Sequence, residues 1–234
     1  MRLKIWLAGL LTLLPLPALA DVTARYAAGP SIVTVEAADN GDSRFEIDAE
    51  IQLWIIRHDG VDYAVTRDSA GVERVTRADG VMAVLFSTQN PPPYPRFDAI
   101  EGGPGTLAGY PGTLWRFGPH GEEPVELLMS SDPRLVPVGN VFRQLVALLA
   151  GAANTEVDAD AFRQMFARGT PLRIESVEQL GPDEHPQLLI ALESVGFSRI
   201  DPVRFALPGP VIPAEDFVKL LPSLVPGTAS TRTY

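Results

Sequence analysis

The 234-residue chain contains no cysteine, only two lysines (Lys4 and Lys219) and three histidines. Without thiols there is no disulfide to staple the fold, no thiolate to hold a metal and no sulfur to carry a lipid, so burial alone must stabilise the structure. The histidines, His58, His120 and His185, do not recur at metal-ligand spacing, and no H-E-x-x-H pattern occurs, so no dedicated zinc or copper site is expected. Long apolar runs are also missing. The longest uninterrupted one, Ile5–Leu14, has ten residues, and a helix needs about 20 to cross a hydrocarbon core.

That run has a different reading. Arg2 and Lys4 precede it, Pro15 and Pro17 break the chain just after it, and Ala18-Leu19-Ala20 forms a small-x-small site before Asp21. The pattern predicts a secretory signal peptide over residues 1–20, cleaved after Ala20, and a periplasmic protein with no membrane-spanning segment in the mature chain. The remaining residues are enough for one domain, expected over 21–225, with 226–234 as a small, polar, flexible tail. With Arg2 and Lys4 removed, 17 basic residues stand against 29 acidic ones, a net charge of about −12. Such a surface repels phosphate backbones and anionic headgroups, which argues against a nucleic-acid partner.

From Val22 onward the apolar period is near two, broken every eight to twelve residues, as in antiparallel strands with short connections. Strands are predicted over 22–28, 31–37, 43–49, 51–57, 61–67 and 71–77, with hairpin chemistry at Asp39–Asp42, Asp59-Gly60 and Asp79-Gly80. In the third, Phe45, Ile47 and Ala49 alternate with Arg44, Glu46 and Asp48, so one face is wet. The fourth is apolar on both faces, with Ile51, Leu53 and Ile55 on one and Trp54 and Ile56 on the other, so its second face must be covered too. Residues 81–88 suit either a short helix or a buried strand. Asn90–Pro95 and Glu101–Gly105 read as an extended surface loop. Strand character returns at 106–117 and 124–129, separated by a turn at 118–121.

After Ser131-Asp132-Pro133 the period changes. Val138, Val141, Phe142, Leu145, Leu148 and Leu149 recur at threes and fours, predicting a helix over 140–150 that stops at Gly151. A second helix over 158–168 carries Phe162, Met165 and Phe166 and ends at Gly169. Strands are predicted next at 172–177, 187–195 and 203–207, then a short helix at 214–220. The expected fold is α+β, mainly β: a large curved antiparallel sheet of nine to eleven strands, an open half-barrel, with two or three helices on its concave face. A β-sandwich is the competing arrangement.

No hydroxyl lies in G-x-S-x-G or S-x-x-K, and the carboxylate pairs Glu122/Glu123 and Asp158/Asp160 fall in a turn and at a helix start. Asp39, Asn40 and Asp42 form a small oxygen cluster without EF-hand spacing. No catalytic residue and no cofactor are expected. Between sheet and helices, the residues set to line a ligand cavity or fill a core are Trp54, Ile56, Phe86, Trp115, Phe117, Phe142, Leu145 and Phe166.

The order of parts adds a resemblance. Several charge-alternating strands, then Thr106-Leu107-Ala108-Gly109-Tyr110-Pro111-Gly112-Thr113-Leu114-Trp115, then a strand ending at Ser131-Asp132-Pro133 and an amphipathic helix, resemble periplasmic domains of the lipoprotein-carrier (LolA/LolB-like) superfamily. Phe205-Ala206-Leu207-Pro208 is similar to the F-x-L-P close of periplasmic members of that group. The resemblance implies a half-barrel plugged by helices and a non-enzymatic role in carrying acyl chains, or in sensing and scaffolding in the cell envelope. Its implied partners are a lipid or lipidated peptide, or another envelope protein meeting the sheet edge or the Pro-rich 90–105 segment. No site residue carries over from it.

Overall fold

The computed structural model describes residues 21–48, 53–67, 71–86, 96–120, 124–152, 156–176 and 187–220. The period-two segments form β1 (Val22–Ala28), β2 (Ser31–Ala37), β3 (Ser43–Asp48), β4 (Leu53–His58), β5 (Val61–Arg67) and β6 (Glu73–Arg77). Later come β7 (Phe97–Leu107), β8 (Tyr110–Pro119), β9 (Val125–Ser130), β10 (Thr170–Ser176) and β11 (Gln187–Gly196). Among the described residues the eleven strands make one antiparallel sheet in the order β6-β5-β4-β3-β2-β1-β11-β10-β9-β8-β7, which does not close into a barrel. The sandwich alternative is thereby excluded.

Among the described residues four helices accompany the sheet: α1 (Ala78–Phe86), α2 (Val136–Ala152), α3 (Glu156–Phe166) and α4 (Ala214–Val218). On one sheet face Tyr26, Val33, Val35, Phe117, Leu127 and Leu172 meet Val138, Val141, Phe142, Met165 and Phe166 in the main core. Each such buried side chain contributes roughly 1.5–3 kcal/mol. The sheet curls around these helices. Phe45 of β3 lies 6.1 Å from Phe142 and Phe142 lies 6.3 Å from Phe166. One turn away on α3, Phe162 lies 5.5 Å from Phe97 of β7. In a flat ladder the seven spacings between β3 and β7 would measure roughly 34 Å, far more than this short path of rings, so the helices occupy the concave face.

Local chemistry explains where elements begin. Asp132 accepts a hydrogen bond from the Arg134 amide at 2.9 Å, opening a 3₁₀ turn (Pro133–Leu135) that runs directly into α2. Pro137 stands in the first turn of α2, where its missing N–H forfeits nothing. Hence α2 starts four residues before the periodicity suggests, and it continues past Gly151. Close approach needs glycine at two points here. A Cβ on Gly139 would lie 2.5 Å from Thr170 Oγ1, and one on Gly169 would lie 2.3 Å from the Ser130 carbonyl oxygen.

Several expectations are corrected. Asp79-Gly80 is no hairpin turn but the first turn of α1, where Asp79 accepts the Gly80 amide at 2.8 Å and pairs with Arg77. Glu101–Gly105 is not a loop; it belongs to edge strand β7, with a register shift between Glu101 and Pro104 that absorbs the glycines and the proline. The strand expected over 106–117 is split by a turn at Ala108 (φ 51°) and Gly109 (φ 80°). Residues 203–207 are not a strand either: Pro202–Phe205 is a 3₁₀ turn capped by Asp201, whose side chain accepts the Val203 amide at 3.0 Å. The tail over 226–234, the turn at 181–183 and His185 lie outside the described residues.

From Ile200 the chain forms a strap around the β6 edge. On the convex face Leu207 packs over Trp54, Ile56, Val65 and Val75. Val211 then makes a parallel bridge to Val75. On the concave face Phe217 of α4 is buried with Ala64, Ala78 and Val81. The second apolar face of β4 is covered, as its sequence requires, by this strap.

Candidate functional site

A cleft of about 620 Å³ opens between the outer flank of α2 and the β2–β5 part of the concave face, near the turn that joins β2 to β3. Its apolar floor comes from Ala37, Val141, Ala147 and Leu148. Its rim is polar. Arg57 and Asp62 occupy opposed positions across the β4–β5 hairpin, and Arg57 Nη1 donates to both carboxylate oxygens of Asp62, at 3.1 and 3.0 Å. The Asp59-Gly60 turn, with φ of 50° and 76°, sets that register.

Across the cleft Ser43 Oγ donates to Gln144 Oε1 at 3.3 Å, tying β3 to α2. Arg143 donates to the Phe166 carbonyl at 3.2 Å and to Asn140 Oδ1. Partial burial pulls its guanidinium below the ordinary value. Asp42 closes the rim. It accepts from Asn40 Nδ2 at 3.0 Å and from the Asp59 amide at 3.2 Å, and His58 Nδ1 stands 3.4 Å away. The oxygen cluster at 39–42 therefore serves its own turn and the neighbouring hairpin.

The residues expected to line one space divide into two sets. Phe142 and Phe166 stack at 6.3 Å, Phe142 meets Tyr26 edge-on at 5.5 Å, and Phe117 meets Phe162 edge-on at 5.0 Å. Leu145 packs against the same cluster, and Trp115 lies beneath Arg168, whose guanidinium carbon is 4.0 Å from the ring centroid. These side chains fill the space between sheet and helices. Trp54 and Ile56 do not join them. Ladder pairing puts Ile56 opposite Arg44 and Trp54 opposite Glu46, the face away from α2, so their expected place in a shared cavity is corrected. Strand parity decides this: Leu53 and Ile55 take the helix-facing side. The side chain of Phe86 falls outside the described set.

Of the polar rim, sequence reasoning singled out the 39–42 oxygen cluster but not Arg57, Asp62, Asn140, Arg143 or Gln144. Arg57 and Asp62 could have been found, because a two-residue turn at Asp59-Gly60 forces them into register. Asn140, Arg143 and Gln144 carry no comparable signal, being polar residues of an amphipathic helix. Among the described residues no group of three or more His, Asp or Glu could hold a metal ion, and no helix is long and apolar enough to cross a membrane.

No protein-family model and no curated protein matches the chain. Among solved structures it is similar to the crystal structure of MucB, with a TM-score of 0.39 and 12% sequence identity over 81% of this chain. The match spans 58% of the MucB chain.

Proposed function

We propose that this is an exported, non-enzymatic binding protein of the cell envelope that takes a small amphiphilic ligand, a lipidated peptide, in the cleft beside α2. The observation that carries the reading is the pairing of an apolar floor with a polar rim in a cleft of about 620 Å³, a volume within the usual ligand-site range. A short acyl segment suits Ala37, Val141 and Leu148. The peptide part would meet Arg57, Asp62 and Gln144, whose charges and amide fit main-chain groups. The aromatic interior is occupied by its own rings, which favours the flank of α2 over the barrel axis.

Titration with a short-chain N-acyl dipeptide, monitored by native mass spectrometry and calorimetry, tests this. One-to-one binding to the unaltered chain, weakened at least tenfold in Ala147→Trp, is expected. Absence of binding, or binding that the tryptophan leaves unchanged, refutes it. A second reading, an interaction module with a filled core, is favoured by the ring-on-ring packing of Phe97, Phe117 and Phe162.

A further inference from the structure

The α2 wall of the cleft carries its polar and apolar parts in order along one stripe. Asn140, Arg143, Gln144, Ala147 and Leu148 recur at threes and fours, and all of them line the cleft. The pair Ala147 and Leu148 stands one four-residue step beyond Arg143 and Gln144, about 6 Å along the helix axis.

The polar part of the stripe faces the cleft with donors. Asn140 Oδ1 accepts from Arg143 Nη2, and Gln144 Oε1 accepts from Ser43 Oγ at 3.3 Å, so both amide oxygens are engaged within the protein. Among the described residues, Asn140 Nδ2 and Gln144 Nε2 have no acceptor of their own. Arg143 adds a charge. Its Nη1 donates to the Phe166 carbonyl at the end of α3, and among the described residues no carboxylate pairs with it, whereas Arg57 across the cleft is matched by Asp62. A guanidinium has more N–H groups than these two bonds use. Partial burial works against the Arg143 charge, and an anion beside it would compensate. The cleft's own carboxylates do not supply that anion. Asp62 is held by Arg57, Asp42 accepts from Asn40 and the Asp59 amide, and Asp39 is exposed on the β2–β3 turn.

Resting on the proposed binding of a lipidated peptide in this cleft, we infer that the ligand is a short N-acyl peptide held by its free C-terminal carboxylate, seated on Asn140 Nδ2, the Arg143 guanidinium and Gln144 Nε2. Its acyl chain then runs along α2 over Ala147 and Leu148. Charge-assisted hydrogen bonds to a guanidinium are the strong ones in such a seat. The axial step from donors to apolar pair limits the peptide to about two residues, since extended chain spans roughly 3.3–3.6 Å per residue. The carboxylate thus selects acylated fragments over the body of an intact lipidated protein, whose chain continues beyond its second residue.

The probes are N-octanoyl-dialanine and its C-terminal amide, titrated calorimetrically into the unaltered chain, Ala147→Trp, Arg143→Gln and Asn140→Asp. The free acid should bind the unaltered chain at least tenfold more tightly than the amide. Arg143→Gln and Asn140→Asp should each abolish that preference by weakening the acid and leaving the amide unchanged. Asn140→Asp keeps an oxygen for Arg143 while replacing the outward N–H donor, so it tests the seat without removing the bond from Arg143 to α3. Equal binding of acid and amide, both weakened by Ala147→Trp, would overturn the carboxylate seat and leave the acyl-peptide cleft standing. No binding of either probe would overturn both. A preference that survives in both polar variants would overturn the assignment to these residues. Octyl phosphate binding as tightly as the acid would overturn the carboxylate in favour of a phosphate headgroup.

Discussion

Tyr26 carries two duties in one side chain. Its ring meets Phe142 edge-on, and its buried hydroxyl donates to the Pro171 carbonyl at 3.0 Å, joining β1 to β10 across β11. Tyr26→Phe keeps the ring and leaves that carbonyl unpaired, so thermal denaturation should show a loss of about 1–3 kcal/mol. Burial also holds the phenol far above its ordinary value of 10.0. The folded chain then retains a proton that the unfolded chain releases above that pH. This contribution is complete below pH 10.0 and diminishes as pH rises beyond it. Urea midpoints measured between neutral and strongly alkaline pH should fall less steeply in Tyr26→Phe than in the unaltered chain.

Among elements, α3 shows how a short helix is held. Phe162 lies between β7 and β8, 5.5 Å from Phe97 and 5.0 Å from Phe117. As it is only partly buried, Phe162→Ala should cost about 2–3 kcal/mol, and near-ultraviolet circular dichroism should lose aromatic signal while far-ultraviolet signal persists. The strands β1, β2 and β5 were legible to the residue because alternation and turn chemistry agree there. β7 was not, since Gly102, Gly103 and Pro104 contradict strand propensity and are accommodated only by a bulge at the sheet edge. In α1, Ala78-Asp79-Gly80 reads locally as a turn, but β6 feeds directly into a helix that packs against β5 and α4.

For the molecule as a whole, the two sheet edges differ. The strap covers β6, while β7 is interrupted by Pro104, a bulge and acidic residues, devices that disfavour pairing with another chain. Phe217, fully buried at the strap's far end, anchors α4 on α1 and β5. Phe217→Ala should therefore release the β6 side first. Hydrogen exchange read by mass spectrometry should show faster exchange across β5 and β6 with little change in β8–β10. Uniform acceleration over all strands would show instead that the sheet opens as a single unit.

The amino-acid order by itself determined the class of fold and nearly every strand, because period-two alternation, turn residues and the switch to a 3.6-residue period are local properties. It also required a cover for the second face of β4. Only the tertiary structure decided what that cover is, which face Trp54 takes, and where the cleft lies. Those depend on strand parity in a continuous ladder and on contacts between residues more than a hundred positions apart, such as Glu36 with Arg204, which no local pattern encodes.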